Sequence, residues 1–253
     1  MSVLKAEKLS KSYSQRLVVK ELCLEAGSGK IIGLLGRNGA GKTTTFQMIA
    51  GLIKPDSGNI YLDEKNISRY SSCQRAQEGI TYLPQESSVF LKTSVMGNLK
   101  IILELQGYNK ERQQEIAKQL LDELGLTPLA KQPAYSLSGG ERRRLEICRS
   151  LILEPKFLLL DEPFTGIDPL TILELQKIMK ELKNKGIGIL ISDHNVRDTF
   201  KISDHVYIID DGCMLIQGNP KEIASDEKAK EKFLGKNFRF GEEIDYDLSR
   251  GNK

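Results

Sequence analysis

Short apolar runs punctuate this chain and alternate with longer stretches of helical periodicity. The first, IIGLLG at 31–36, closes on glycine and is followed by TTTFQMIAGLI, a succession that reads as strand, tight loop, helix. Two more runs, FLLL at 157–160 and GILI at 188–191, are bounded by charges or glycine. Between them, 169–185 carries Ile172, Leu175, Ile178, Met179 and Leu182 at helical spacing. Apolar strands alternating with helices of that length predict a mainly parallel α/β sheet covered on both faces. From about 94 to 154 the pattern is helical throughout, in SVMGNLKIILELQ, ERQQEIAKQLLDELGL and ERRRLEICRSLILE. The expectation is one domain at 1–240, with a helical subdomain at about 89–154 inserted into a core of about 1–88 and 155–240. The polar end, 241–253, is expected to fray.

Composition excludes more than it selects. The chain has 253 residues, ordinary apolar and charged fractions of 40% and 28%, and a net charge of +3, too mild to imply nucleic acid. Four cysteines, Cys23, Cys73, Cys148 and Cys213, lie far apart, as reduced thiols in a cytosolic protein would. Two histidines in all rule out a His-rich metal centre. The N-terminus lacks a signal-peptide core, and no run approaches the roughly 18 apolar residues of a transmembrane helix, so a membrane role is expected only through partners.

The loop after the first strand, GRNGAGKT at 36–43, matches G-x-x-x-x-G-K-[ST]. Glycines allow successive backbone N–H groups to wrap a phosphate, and the helix that follows adds its positive end. Lys42 would reach the β- and γ-phosphates and the Thr43 hydroxyl would meet Mg²⁺. A glycine turn before a helix is the plainer account. The strand before it and the helix after it favour nucleoside triphosphate.

FLLL runs directly into Asp161 and Glu162, which places two carboxylates at a buried strand's C-terminal edge, where α/β sheets bind ligands. Asp161 would hold Mg²⁺, and Glu162 would polarise the attacking water. His194, after the 188–191 run, would sit at another strand end and position that water. Alone, an acid pair or a histidine at a strand end is more often a surface residue; the phosphate loop upstream changes that balance. Ser138-Gly139-Gly140-Glu141 fits a capping box, S-x-x-E, with two glycines that leave amides bare for a second anion. Two chains arranged head to tail can bring both sites onto one phosphate.

In this order, the loop, LSGGE at 137–141, hhhhDE and a later histidine resemble the nucleotide-binding subunits of ATP-binding cassette transporters over nearly the whole chain. The resemblance implies a RecA-like P-loop ATPase core with an inserted helical signature subdomain and an N-terminal antiparallel β portion. It implies Mg²⁺ and ATP as cofactors, with Glu162 and His194 catalytic. The nucleotide would be held by Gly36, Arg37, Asn38, Gly39, Ala40, Gly41, Lys42, Thr43 and Thr44. Tyr13 would stack on adenine beside Val18. Leu137, Ser138, Gly139, Gly140 and Glu141 would act across a homodimer interface, which Asp168 also crosses. Gln85 would touch the metal, with Thr43 and Asp161.

A narrower set (PQESSVF, SLSGGERRRLEI, PKFLLLDEPFTGIDP, ISDHNVRDTF and FLGKNFRF) resembles the ATPase subunits of lipopolysaccharide export machinery. That implies a cytoplasmic, peripheral subunit at the inner membrane, docked through coupling helices onto two transmembrane permeases. Phe90 and Leu91 would line the partner groove. Leu91 stands where that family commonly has a basic residue, and Arg37 where it usually has proline. RNG at 37–39 is more often seen in branched-chain amino-acid importers, the alternative reading. Translation and repair cassettes carry a second cassette or a long coiled coil, and a non-hydrolysing module would not need Glu162. Arg142, Arg143 and Arg144 are expected on a solvated or interface face of their helix, not on nucleic acid.

Overall fold

The computed structural model describes residues 1–240, so the tail expected at 241–253 lies outside the described residues. The chain begins with a hairpin of β1 (Val3–Tyr13) and β2 (Arg16–Gly27), followed by β3 (Ile31–Gly36) and helix α1 (Lys42–Ala50). β4 (Ser57–Leu62), β5 (Lys65–Asn66), α2 (Ser72–Gln77) and β6 (Ile80–Leu83) come next. Three helices then run in succession: α3 (Val95–Leu105), α4 (Lys110–Glu123) and α5 (Gly139–Leu151). The chain returns through β7 (Phe157–Asp161), α6 (Pro169–Asn184), β8 (Gly188–Asp193), α7 (Val196–Ile202), β9 (His205–Asp210), β10 (Cys213–Gly218) and α8 (Pro220–Ser225).

The central sheet has the order β10-β9-β3-β8-β7-β6 and is parallel except for β10, which pairs antiparallel with β9. A separate antiparallel sheet has the order β2-β1-β4-β5. β3, β7 and β8 are buried at every position, which explains why their sequences are unbroken apolar runs. Their residues still alternate. Phe157 and Leu159 of β7 enter the core shared with the antiparallel sheet and α1, whereas Leu158 and Leu160 enter the core shared with α3, α5 and α6. β1 is one-sided, with Leu4, Ala6 and Leu9 buried between polar neighbours and register shifts near Lys8, which has φ 48°. Such irregular alternation hides a strand from periodicity.

One of the three consecutive arginines departs from expectation. Arg143 is only 6% exposed and pairs with buried Glu146 at 2.8 Å, one turn along α5. Arg144 reaches Glu174 at 3.0 Å, and Arg142 donates to the Leu137 carbonyl at 3.2 Å. Arg143 therefore faces protein rather than solvent, and the i, i+3 spacing of Arg143 and Glu146 lets each offset the other's burial; Arg142 and Arg144 stay half-buried.

Arg75 of α2 is 1% exposed, and its four hydrogen bonds go to backbone carbonyls. Nη1 donates to Met48 O and Ile49 O at 2.7 Å each, Nη2 to Ser68 O at 3.0 Å and Nε to Tyr70 O at 3.2 Å. Two of these acceptors belong to the last turn of α1, whose negative end a cation stabilises. Burial pushes the guanidinium down to about 10, still charged at neutral pH. Arg75→Met is expected to lower unfolding free energy in urea by about 3 kcal/mol, since four carbonyls lose their donor. A loss under about 1 kcal/mol would deny Arg75 this fastening role.

Candidate nucleotide site

β3 delivers its last residue, Gly36, where a Cβ would stand 2.6 Å from the Ile209 carbonyl, so only glycine lets the loop leave the sheet there. The loop turns into α1 through Gly41, with φ 102°, a value open to glycine. A Cβ at Gly41 would meet Val18 O at 2.8 Å. No side chain caps α1, so the amides of its first turn face a cleft of about 500 Å³. Lys42 is 5% exposed, and its ammonium donates to Gly36 O at 2.9 Å and Arg37 O at 3.3 Å. Burial lowers its pKa, while Glu162, Asp161 and Asp193 oppose that shift.

Asp161 ends β7 with no exposed surface. Its Oδ1 accepts from the Thr43 hydroxyl at 3.3 Å and from the Ser192 hydroxyl, and its Oδ2 accepts from the Tyr82 hydroxyl at 3.0 Å. Glu162 follows with φ 45°, left-handed backbone that a non-glycine residue adopts at a cost of about 1–3 kcal/mol. The bend is held by Glu162 N–H donating to Ser192 O at 2.8 Å and by the Thr165 hydroxyl donating to the carboxylate at 3.0 Å. It turns the side chain into the cleft, where His194 Nδ1 stands 3.5 Å away. Asp193, whose pKa burial raises, accepts from Phe164 N–H at 3.2 Å and Asn195 N–H at 2.8 Å. It thereby ties the turn after Glu162 to the turn that carries His194.

Of the residues expected at the nucleotide, Val18, Asn38, Gly39, Gly41, Lys42, Thr43, Thr44, Gln85, Glu162 and His194 line this one cleft. Gly36, Arg37, Ala40 and Asp161 flank it: Ala40 packs in the core, and Arg37 turns away to donate to Lys232 O at 2.9 Å. Tyr13 stands at the exposed end of β1, with the Lys11 ammonium 5.7 Å from its ring, and is not part of the lining. Leu137, Ser138, Gly139, Gly140, Glu141 and Asp168 do not line it either. Ser138 and Glu141 close their capping box reciprocally, at 2.8 and 3.3 Å. Leu137 is core, and Asp168 caps α6 through Thr171. Gly140 lies so close to α6 that a Cβ would stand 2.0 Å from Thr171 Cγ2.

Phe90 and Leu91 are 44% and 46% exposed, with the Arg149 guanidinium 4.9 Å from the Phe90 ring. Buried Asn98 brackets Phe90, accepting from its N–H at 2.9 Å and donating to its carbonyl at 3.1 Å. Sequence reasoning missed Tyr82, Thr165 and Ser192. The available signal was positional: Ser192 is the β8 partner of Asp161, and Tyr82 is the next-to-last residue of β6, the strand beside β7.

The family model described as ABC transporter matches residues 19–165. The lipopolysaccharide export system ATP-binding protein of Escherichia coli K12 is 45% identical over 240 residues, 94% of this chain and 100% of that protein. Its counterpart in Acidithiobacillus ferridurans is 46% identical over 237 residues, 94% of this chain and 98% of that protein. The crystal structure of the ADP conformation of an ATP-binding cassette of an ABC transporter superposes with a TM-score of 0.83 at 27% identity, covering 93% of this chain and 99% of that one. This chain thus gathers a glycine loop, a buried aspartate and a strained glutamate around one cleft within a sequence that matches its relatives over nearly its whole length, and it belongs to the ABC transporter family as one of its ATP-hydrolysing cassettes.

Proposed function

We propose that this chain powers lipopolysaccharide export, hydrolysing Mg-ATP as a homodimer beneath two transmembrane permease subunits at the cytoplasmic face of the inner membrane. The cargo rests on the near full-length similarity to lipopolysaccharide export ATP-binding proteins of several bacteria. The observation that carries the chemistry is the Glu162 carboxylate turned into the phosphate-loop cleft by its strained backbone.

Magnesium fits the donor set. The Thr43 hydroxyl and Asp161 carboxylate converge to 3.3 Å beside Gln85, and oxygen ligands suit that ion. Among the described residues no cluster of His, Cys, Asp or Glu could hold a metal alone, so phosphate oxygens would complete the shell. Held by Thr43, Asp161 and Gln85, a bound ion would supply neutralisation of the triphosphate's charge. Lys42 and the α1 amides bind the phosphates, Glu162 accepts the water's proton, and His194 orients that water.

The signature residues Ser138, Gly139 and Gly140 act on a sister subunit's nucleotide; none of them lines the phosphate-loop cleft of its own chain. Residues 89–154 form the helical subdomain of a single cassette at 1–240. Exposed Phe90 and Leu91 receive the coupling helices. Among the described residues no helix is long and apolar enough to cross a membrane, so the partners supply the crossing. Permeases that co-purify with the chain would support the export reading, and an amino-acid importer's permeases would replace it.

Glu162→Gln is expected to cut phosphate release at least about a hundredfold while ATP still binds and an ATP-dependent dimer elutes in gel filtration. Turnover at the wild-type rate would remove Glu162 from its role. Lys42 gives a pH prediction. Its pKa lies below the ordinary 10.5 in the chain alone, and a triphosphate beside it raises that value. Between the two values binding takes up a proton, so affinity falls as pH rises through the lower one. Calorimetry in buffers of different ionisation enthalpy should record that uptake at alkaline pH. Affinity that stays flat there would place Lys42 off the phosphates.

A further inference from the structure

Tyr82 belongs to two places at once. Tyr82 forms part of the wall of an open groove of about 320 Å³, with Ala50 at the end of α1, Leu52 just beyond it, Cys73 and Ala76 of α2, and Ile80 of β6. Its hydroxyl leaves that groove and donates to Asp161 Oδ2 at 3.0 Å.

The Asp161 carboxylate has two oxygens with different company. Oδ1 faces Thr43 and Ser192, on the side of the phosphate loop. Oδ2 faces Tyr82. A carboxylate rotates about its last bond unless both oxygens are held, and a ligand that must turn before it binds loses affinity. We infer that Tyr82 is a positioning residue: from the groove wall it sets the rotation of Asp161 and so the affinity of the nucleotide cleft for a divalent cation. This rests on the magnesium reading above and adds a residue to it.

Tyr82→Phe removes the hydroxyl and keeps the ring in the groove wall. In a Glu162→Gln background loaded with ATP, Mn²⁺ binding measured by electron paramagnetic resonance should weaken about tenfold. In the active chain, the Mg²⁺ needed for half-maximal turnover should rise by a similar factor. The rate at saturating Mg²⁺ and the ATP affinity in EDTA should stay near wild type. Thr81→Val provides the control, because Thr81 lines the same groove and its buried hydroxyl has no partner among the described residues. Cation affinity in Tyr82→Phe within about twofold of the parent, or an equal loss in Thr81→Val, would overturn the inference. If the wild-type chain, with Glu162 in place, showed no cation-dependent hydrolysis, the magnesium reading would fall first, and this one with it.

Discussion

A carboxylate with no exposed surface has to be met by donors, and the centre of this molecule is organised around that need. Asp161 cannot reach water, so three hydroxyls from three elements converge on it: Thr43 from α1, Tyr82 from β6 and Ser192 from β8. Each donor ties a functional segment to the same point. Thr43 carries the phosphate loop, Tyr82 precedes Gln85 by three residues, and Ser192 precedes His194 by two. The parallel order β8-β7-β6 makes this convergence possible, because it sets three strand ends side by side on one edge. The backbone bend at Glu162 then lifts the next carboxylate out of that dry environment and into the cleft.

A second network joins the helical layer to the same edge. Arg143 of α5 donates to Pro84 O at 3.0 Å and to Asp161 O at 3.3 Å. Its partner Glu146 accepts from Ser88 N–H at 3.0 Å. Arg149, further along α5, donates to Ser88 O at 2.6 Å and stacks on Phe90. The helix that starts at the signature cap therefore holds both ends of the segment from Pro84 to Phe90. Cap, cleft edge and exposed groove are joined by charged side chains bonded to backbone, which gives them fixed relative positions.

How much of this the sequence disclosed follows from the range of each signal. The phosphate loop, the capping box at Ser138 and the acids after FLLL are local: each occupies fewer than ten consecutive residues, and its chemistry is complete within them. The buried runs of β3, β7 and β8 were equally plain, since burial on both faces leaves no polar positions. β1 and β2 gave no periodicity of their own, because bulges near Lys8 and Glu21 break their alternation; only the resemblance pointed to them. Tyr82 and Ser192 look like ordinary strand residues until strand order puts them beside Asp161. Arg143 reads as surface charge in any window that omits the backbone of a strand 18 residues away.

Thr171 shows where sequence drift in this chain is constrained. Its hydroxyl donates to Asp168 at 2.6 Å, which fixes its rotamer, and its methyl then occupies the space that a side chain at Gly140 would need. The spacing between the signature cap and the loop ending at Asp168 is thereby gauged by one threonine. Position 140 is therefore bound to position 171: a methyl gained at the first requires a methyl lost at the second.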